Sequence, residues 1–99
     1  MKALLLEQIA SLAANPNPLR LTEWPAPEPA AGEVLIRVSA CGVCHTELDE
    51  IEGRTPPPSL PVILGHQAIG RIERLGPGVS GPAVGTRVGV AWIYSACGV

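Results

Sequence analysis

Proline and glycine set the first limits on this chain. With eleven of each in 99 residues, breaks come too often for long helices, and short strands joined by turns are the natural outcome. The densest stretch is residues 15–30, NPNPLRLTEWPAPEPA, where Pro25, Pro27 and Pro29 lack the backbone donors a central strand needs. Only LRLTEW within it is strand-like. Residues 3–6 form a first apolar strand. In GEVLIRVSA, Val34, Ile36 and Val38 alternate with Leu35, Arg37 and Ser39, the period-2 signature of a half-buried strand. CHTELDEIEG carries polar helix formers, with His45 or Thr46 near the start and Gly53 past the end, and predicts a helix of two turns. TPPPSLPVILG is a rigid loop. HQAIGRIERL is a strand closed by the turn Gly76-Pro77-Gly78; GPAVG turns again, and TRVGVAWIY is a last strand. The pattern predicts one mainly β domain, a small barrel or sandwich with one short helix. Its core must come from Val, Ile, Leu and Ala, because there is no Phe and aromatics are 3% of the chain.

The net charge is −2 with no basic run, which gives no footing for nucleic acid or an anionic membrane. The acids Glu47, Asp49, Glu50 and Glu52 read as a solvated helix face. Lys2 and the apolar residues after it hint at a signal peptide. Glu7 stops that run well short of the roughly 7–15 apolar residues required, and nothing approaches the roughly 18 of a membrane span. Three cysteines cannot all pair within one chain, which fits a reducing compartment and predicts a cytoplasmic protein.

The segment Cys41-Gly-Val-Cys44-His45 admits three chemistries. It has the c-type haem attachment pattern, with His66 as the far ligand, because the only methionine is Met1. Haem attachment normally requires export, however, and this chain lacks a convincing signal. A redox pair needs a CxxC opening a helix within a βαβ unit; the helix is in place and that unit is not. For a metal, Cys44 is a thiolate candidate, and His66 follows 22 positions later behind a rigid loop. Two ligands are one fewer than a catalytic zinc site takes from protein. The residues alone leave these readings open.

CGVCHTE, LPVILGHQAIGRIERLGPGV and VGTRVGVAWIYSACG, in this order, resemble the zinc-dependent alcohol dehydrogenases of the medium-chain dehydrogenase/reductase family. The resemblance runs over essentially the whole chain and implies a partial GroES-like β-barrel catalytic domain over residues 1–99, incomplete here. A Rossmann domain for NAD or NADP is absent from these residues, and no GxGxxG follows a strand. Carried over by position, the resemblance makes Cys44 and His66 ligands of a catalytic zinc. Thr46 accepts the alcohol proton, His45 contacts the cofactor pyrophosphate, Trp92 walls the substrate pocket, and Cys97 is the first of four structural-zinc cysteines. Glu47 stands where an Asp usually orients the zinc histidine, and Asp49 where many relatives carry a proton-passing His. Gln67 replaces a Glu beside the metal, which leaves zinc the stronger Lewis acid. Cys41 has no assigned role and reads as a small buried apolar residue.

The implied function is NAD(P)-linked oxidation of a primary or secondary alcohol to an aldehyde or ketone, by a homo-oligomer acting on small molecules. The alternative is a stand-alone, non-catalytic β-barrel that binds metal or a partner. Cys97-Gly98-Val99 follow a strand without a polar tail, so the sequence reads as cut. The expectation is that these 99 residues by themselves are inactive and self-associate through open sheet edges.

Overall fold

A computed structural model describes residues 1–93 and 95–97. It contains β1 (Lys2–Leu6), β2 (Leu19–Glu23), β3 (Val34–Gly42), α1 (His45–Glu52), β4 (Gln67–Leu75) and β5 (Arg87–Gly89). The mainly β reading with one short helix holds. Among the described residues the strands form two antiparallel sheets, β1-β2 and β3-β4-β5, and neither closes on itself. The chain divides into two compact units, Met1–Ala26 with Val43–Gly65, and Pro27–Gly42 with His66–Val99.

In the first unit, β1 pairs with β2 from Lys2↔Glu23 to Leu6↔Leu19. Ala3, Leu5 and Leu6 are buried and Leu4 is exposed. The strand therefore alternates until Leu6, which also pairs with Val62 through two backbone hydrogen bonds of 2.9 and 3.0 Å. Arg20 forks onto Glu7 at 2.9 and 2.6 Å at the connected end, and the Met1 ammonium donates to the Trp24 carbonyl at the other. Helix α1 buries Glu47 and Ile51, four residues apart on one face. It ends at Gly53, whose φ of 80° is the left-handed conformation that glycine adopts without strain. The segment after β1 is laced to this helix end. Ala10 N–H donates to Ile51 O at 2.9 Å, Leu12 N–H to Glu52 Oε2 at 3.2 Å, and Ile9 packs against Gly53.

In the second unit, β4 is the central strand and Ile72 its most buried large side chain. The expected inward set of β3 does not materialise: Val34, Leu35 and Ile36 are all half-buried, and Val38 is exposed. The register shifts at Leu35/Ile36 and again between Val38 and Ala40, and each shift resets which residues share a face. The last strand is also shorter than its apolar run. It stops at Gly89, with one further bond from Val90 N–H to Ala68 O at 2.9 Å. Tyr94, the far end of the expected strand, lies outside the described residues.

Candidate functional site

The first unit gathers five of the predicted residues on the opening turns of α1. Cys44 is the N-cap, with extended backbone, and its Sγ accepts the Thr46 N–H at 3.4 Å. Glu47 completes a reciprocal capping box: Cys44 Sγ also accepts the Glu47 amide, and Glu47 Oε2 accepts the Cys44 N–H at 2.7 Å. The sequence reading gave Glu47 a place on a solvated acidic face and, through the resemblance, a role beside a metal ligand. The helix start itself explains this residue, and the spacing Cys44-x-x-Glu47 carries the signal of such a cap with sulfur replacing the usual hydroxyl.

His45 is exposed, and its Nε2 lies 3.4 Å from Asp49 Oδ1, one turn on. Asp49 also pairs with Arg54 Nε, and Arg54 Nη1 donates to Glu52 Oε1 at 3.0 Å. Arg54 thus joins two acids at the end of the helix. Its pairing with Asp49 and then with Glu52 raises its own pKa. The Arg54 bond, reinforced by the Leu12 N–H, holds the Glu52 carboxyl below its usual range. The predicted solvated acidic face is corrected here: Glu47 is buried, and Asp49, Glu50 and Glu52 are half-buried. Glu47 closes the cap, Asp49 and Glu52 pair with Arg54, and Glu52 also accepts the Leu12 N–H.

The second unit carries His66 and Gln67 at the entrance to β4. His66 is half-buried and follows Gly65, whose φ is 122°. Gln67 pairs in register with Gly42, the last residue of β3. Its side chain occupies the space where any Cβ on Gly42 would stand. Trp92 and Cys97 lie past β5 and are exposed. Cys41 is exposed too, against the expectation of burial; its Sγ sits 3.6 Å from the Gly42 carbonyl at the edge end of β3.

By side-chain chemistry, each unit carries a residue type that zinc prefers: the first offers the Cys44 sulfur and the second the His66 imidazole nitrogen.

Comparison with known proteins gives a consistent result. The family model for the alcohol dehydrogenase GroES-like domain matches residues 30–99. An alcohol dehydrogenase of Geobacillus stearothermophilus is 48% identical over 99 residues, covering 99% of this chain and 28% of that protein. One of Moraxella sp. (strain TAE123) is 44% identical over the same length, again 99% of this chain and 28% of its own. The chain thus spans just over a quarter of these relatives. The crystal structure of an NAD-dependent alcohol dehydrogenase superposes with a TM-score of 0.78 at 31% identity, over 88% of this chain and 24% of that one. Among the described residues no helix is long and apolar enough to cross a membrane.

Proposed function

Because this chain belongs to the alcohol dehydrogenase GroES-like domain family, we propose that it serves a zinc-dependent, NAD(P)-linked oxidation of a primary or secondary alcohol to an aldehyde or ketone. The observation that carries this reading is the family match over residues 30–99, which includes Cys44, Thr46, His66 and Cys97.

In this reading Cys44 and His66 hold the catalytic zinc, and the third ligand and the dinucleotide-binding domain come from outside these 99 residues. When bound, zinc supplies Lewis acidity toward the alcohol and the nicotinamide supplies the hydride acceptor. Thr46 takes the alcohol proton; its hydroxyl both donates and accepts, so it can pass a proton on without becoming charged. Support for that role comes from its place beside Cys44 in the first helical turn, with its own N–H tied to the Cys44 sulfur. Exposed His45 contacts the cofactor pyrophosphate, and Asp49, within reach of His45, carries the proton toward solvent. Trp92 walls the substrate pocket, and Cys97 is one ligand of a separate structural zinc. The complete enzyme is a cytoplasmic homo-oligomer acting on small alcohols or aldehydes.

The test is alcohol-dependent NAD+ or NADP+ reduction by the complete enzyme carrying this sequence. Chelation of zinc and the Cys44→Ser substitution should each abolish turnover. Full turnover after both would sink the reading.

A further inference from the structure

Three arginines stand in line across the sheet of the second unit. Arg37 of β3 pairs in register with Arg71 of β4, and Arg71 pairs in turn with Arg87 of β5. Residues directly opposed across a ladder share a face. The adjoining pair, half-buried Ile36 and buried Ile72, takes the opposite, inner face. All three arginines are exposed. Strand pairing thus assembles, from distant positions, a basic row that the sequence does not contain as a run.

Like charges set directly opposite each other destabilise a sheet, so the supply of counter-charge matters here. This unit has four arginines, the fourth being Arg74, against three glutamates and no aspartate. Each glutamate is committed. Glu28 pairs with Arg74 at 2.9 Å, Glu33 accepts the Ala30 N–H at 3.0 Å, and Glu73 pairs with Arg37. Arg71 Nη1 donates to the Gly85 carbonyl at 3.0 Å, a neutral acceptor that leaves the charge unanswered. Arg87 has no acid partner among the described residues. Two neighbouring guanidinium groups therefore meet solvent without an acid of their own, on strands whose opposed Cα atoms are about 4.5–5.5 Å apart.

We propose that Arg71 and Arg87 form a binding site for a dianionic phosphate group, flanked by the Arg37–Glu73 pair. Two positive charges without acids match the nearly two negative charges of a phosphate monoester at neutral pH. The planar guanidinium fork presents its N–H donors in the geometry that phosphate oxygens accept. The site uses none of the residues assigned to zinc, cofactor or substrate, and it stands or falls independently of the alcohol-oxidation reading.

The test is NMR of the 99-residue chain in dilute solution at fixed ionic strength. Methyl phosphate is the dianionic probe, and dimethyl phosphate, a monoanion of related chemistry, is its control. Methyl phosphate should shift the Arg71 and Arg87 side-chain signals saturably and bind about threefold or more tighter than dimethyl phosphate. Arg87→Gln should weaken methyl phosphate about threefold or more; it removes one of two opposed like charges, so the sheet should hold. Arg74→Gln loses the same charge further along β4 and should leave affinity within about 1.5-fold, because Glu28 already answers Arg74 and salt screens the remainder. Equal weakening by the two variants would reduce the effect to net charge and overturn the proposal. Equal affinity for the two probes, or shifts that do not saturate, would overturn it as well. Should Arg87→Gln not fold, the comparison of the two probes on the unaltered chain decides alone. Where methyl phosphate binds, vesicles containing phosphatidic acid separate the sources of the group, and either result keeps the site. Arg87-dependent sedimentation with them assigns a lipid headgroup, and sedimentation no greater than with neutral vesicles assigns a soluble phosphate.

Discussion

Glu47 Oε2 accepts the Cys44 N–H at 2.7 Å while the Cys44 sulfur accepts the Glu47 amide, so the residue proposed to hold zinc is also the residue that starts the helix. Substitutions can separate the two roles.

Glu47→Ala removes one half of the cap and leaves the Cys44 N–H without its carboxylate. A lost cap typically costs about 0.5–2 kcal/mol, and a destabilisation in that range is expected from urea denaturation of the chain. Glu47→Gln keeps an acceptor at the same reach and should retain most of the stability. Equal losses in both variants would show that charge, not capping geometry, is what matters at Glu47.

Cys44→Ser takes the complementary path. Serine is a preferred N-cap, so the helix should be as stable as before or more so, while zinc affinity collapses because a hydroxyl is a poor zinc donor. Circular dichroism and metal competition on the same sample test both halves. A variant that loses helix and zinc together would mean the sulfur is needed for the fold itself.

Gly53→Ala should destabilise by about 1 kcal/mol or more, from the left-handed φ alone. The new methyl would also stand 2.8 Å from Ile9 Cγ2, pressing on the segment laced to the helix end. Amide exchange at Ala10 and Leu12 should accelerate in this variant; unchanged exchange there would show that the Ile9 contact yields without loosening the lacing.

Two carboxylates set the acid response. Arg20 holds Glu7, and Arg54 with the Leu12 N–H holds Glu52, below the usual carboxylate range. Folded pKa values below the unfolded ones mean stabilisation that is present above the unfolded glutamate pKa and lost as pH falls through the folded values. Carbon-detected NMR titration should give midpoints below that of an unfolded glutamate for both groups, and Arg54→Met should move Glu52 upward while leaving Glu7 in place. Glu52 titrating at its ordinary value in the wild type would contradict the Arg54 and Leu12 contacts.

Leu4 and Leu21 face each other across β1 and β2 and are 50% and 65% exposed. With Val43 and Trp92 also exposed, the 99-residue chain should self-associate at high concentration, and Leu21→Lys should reduce the mass seen in light scattering. A sharp monomer peak from the unmodified chain would count against this.

The punctuation of the fold was legible in the residues. Gly53 stops α1, the proline run confines β2 to Leu19–Glu23, and the turn after Leu75 ends β4, because backbone restrictions act locally and need no partner. What pattern could not reveal depends on pairing. The register shifts of β3 come from its contacts with β4, so alternation along Val34, Ile36 and Val38 did not translate into burial. Among the described residues the apolar run after Gly89 keeps one bond to β4, from Val90 N–H to Ala68 O. At the candidate site, the residue types were readable at Cys44 and His66, and the Cys44-x-x-Glu47 spacing held the signal of the cap, but the space that Gly42 yields to Gln67 was not readable. That is a relationship between register partners, and each of the two looks ordinary alone.

The lacing of residues 9–12 to the end of α1 makes the β1–β2 connection two different materials in one loop. Its first half is committed, through Ile9, Ala10 and Leu12, to the far end of the helix that begins at Cys44. Its second half, the turn around Ser11–Asn15 and the Asn15–Asn17 contact, is satisfied within itself. Extra residues spliced in beside Asn17 would leave the helix anchored, whereas the same number spliced in beside Ala10 would slacken it from the opposite end to the one that matters chemically. Length variation in this loop therefore has a permitted address, beside Asn17, and a forbidden one, beside Ala10.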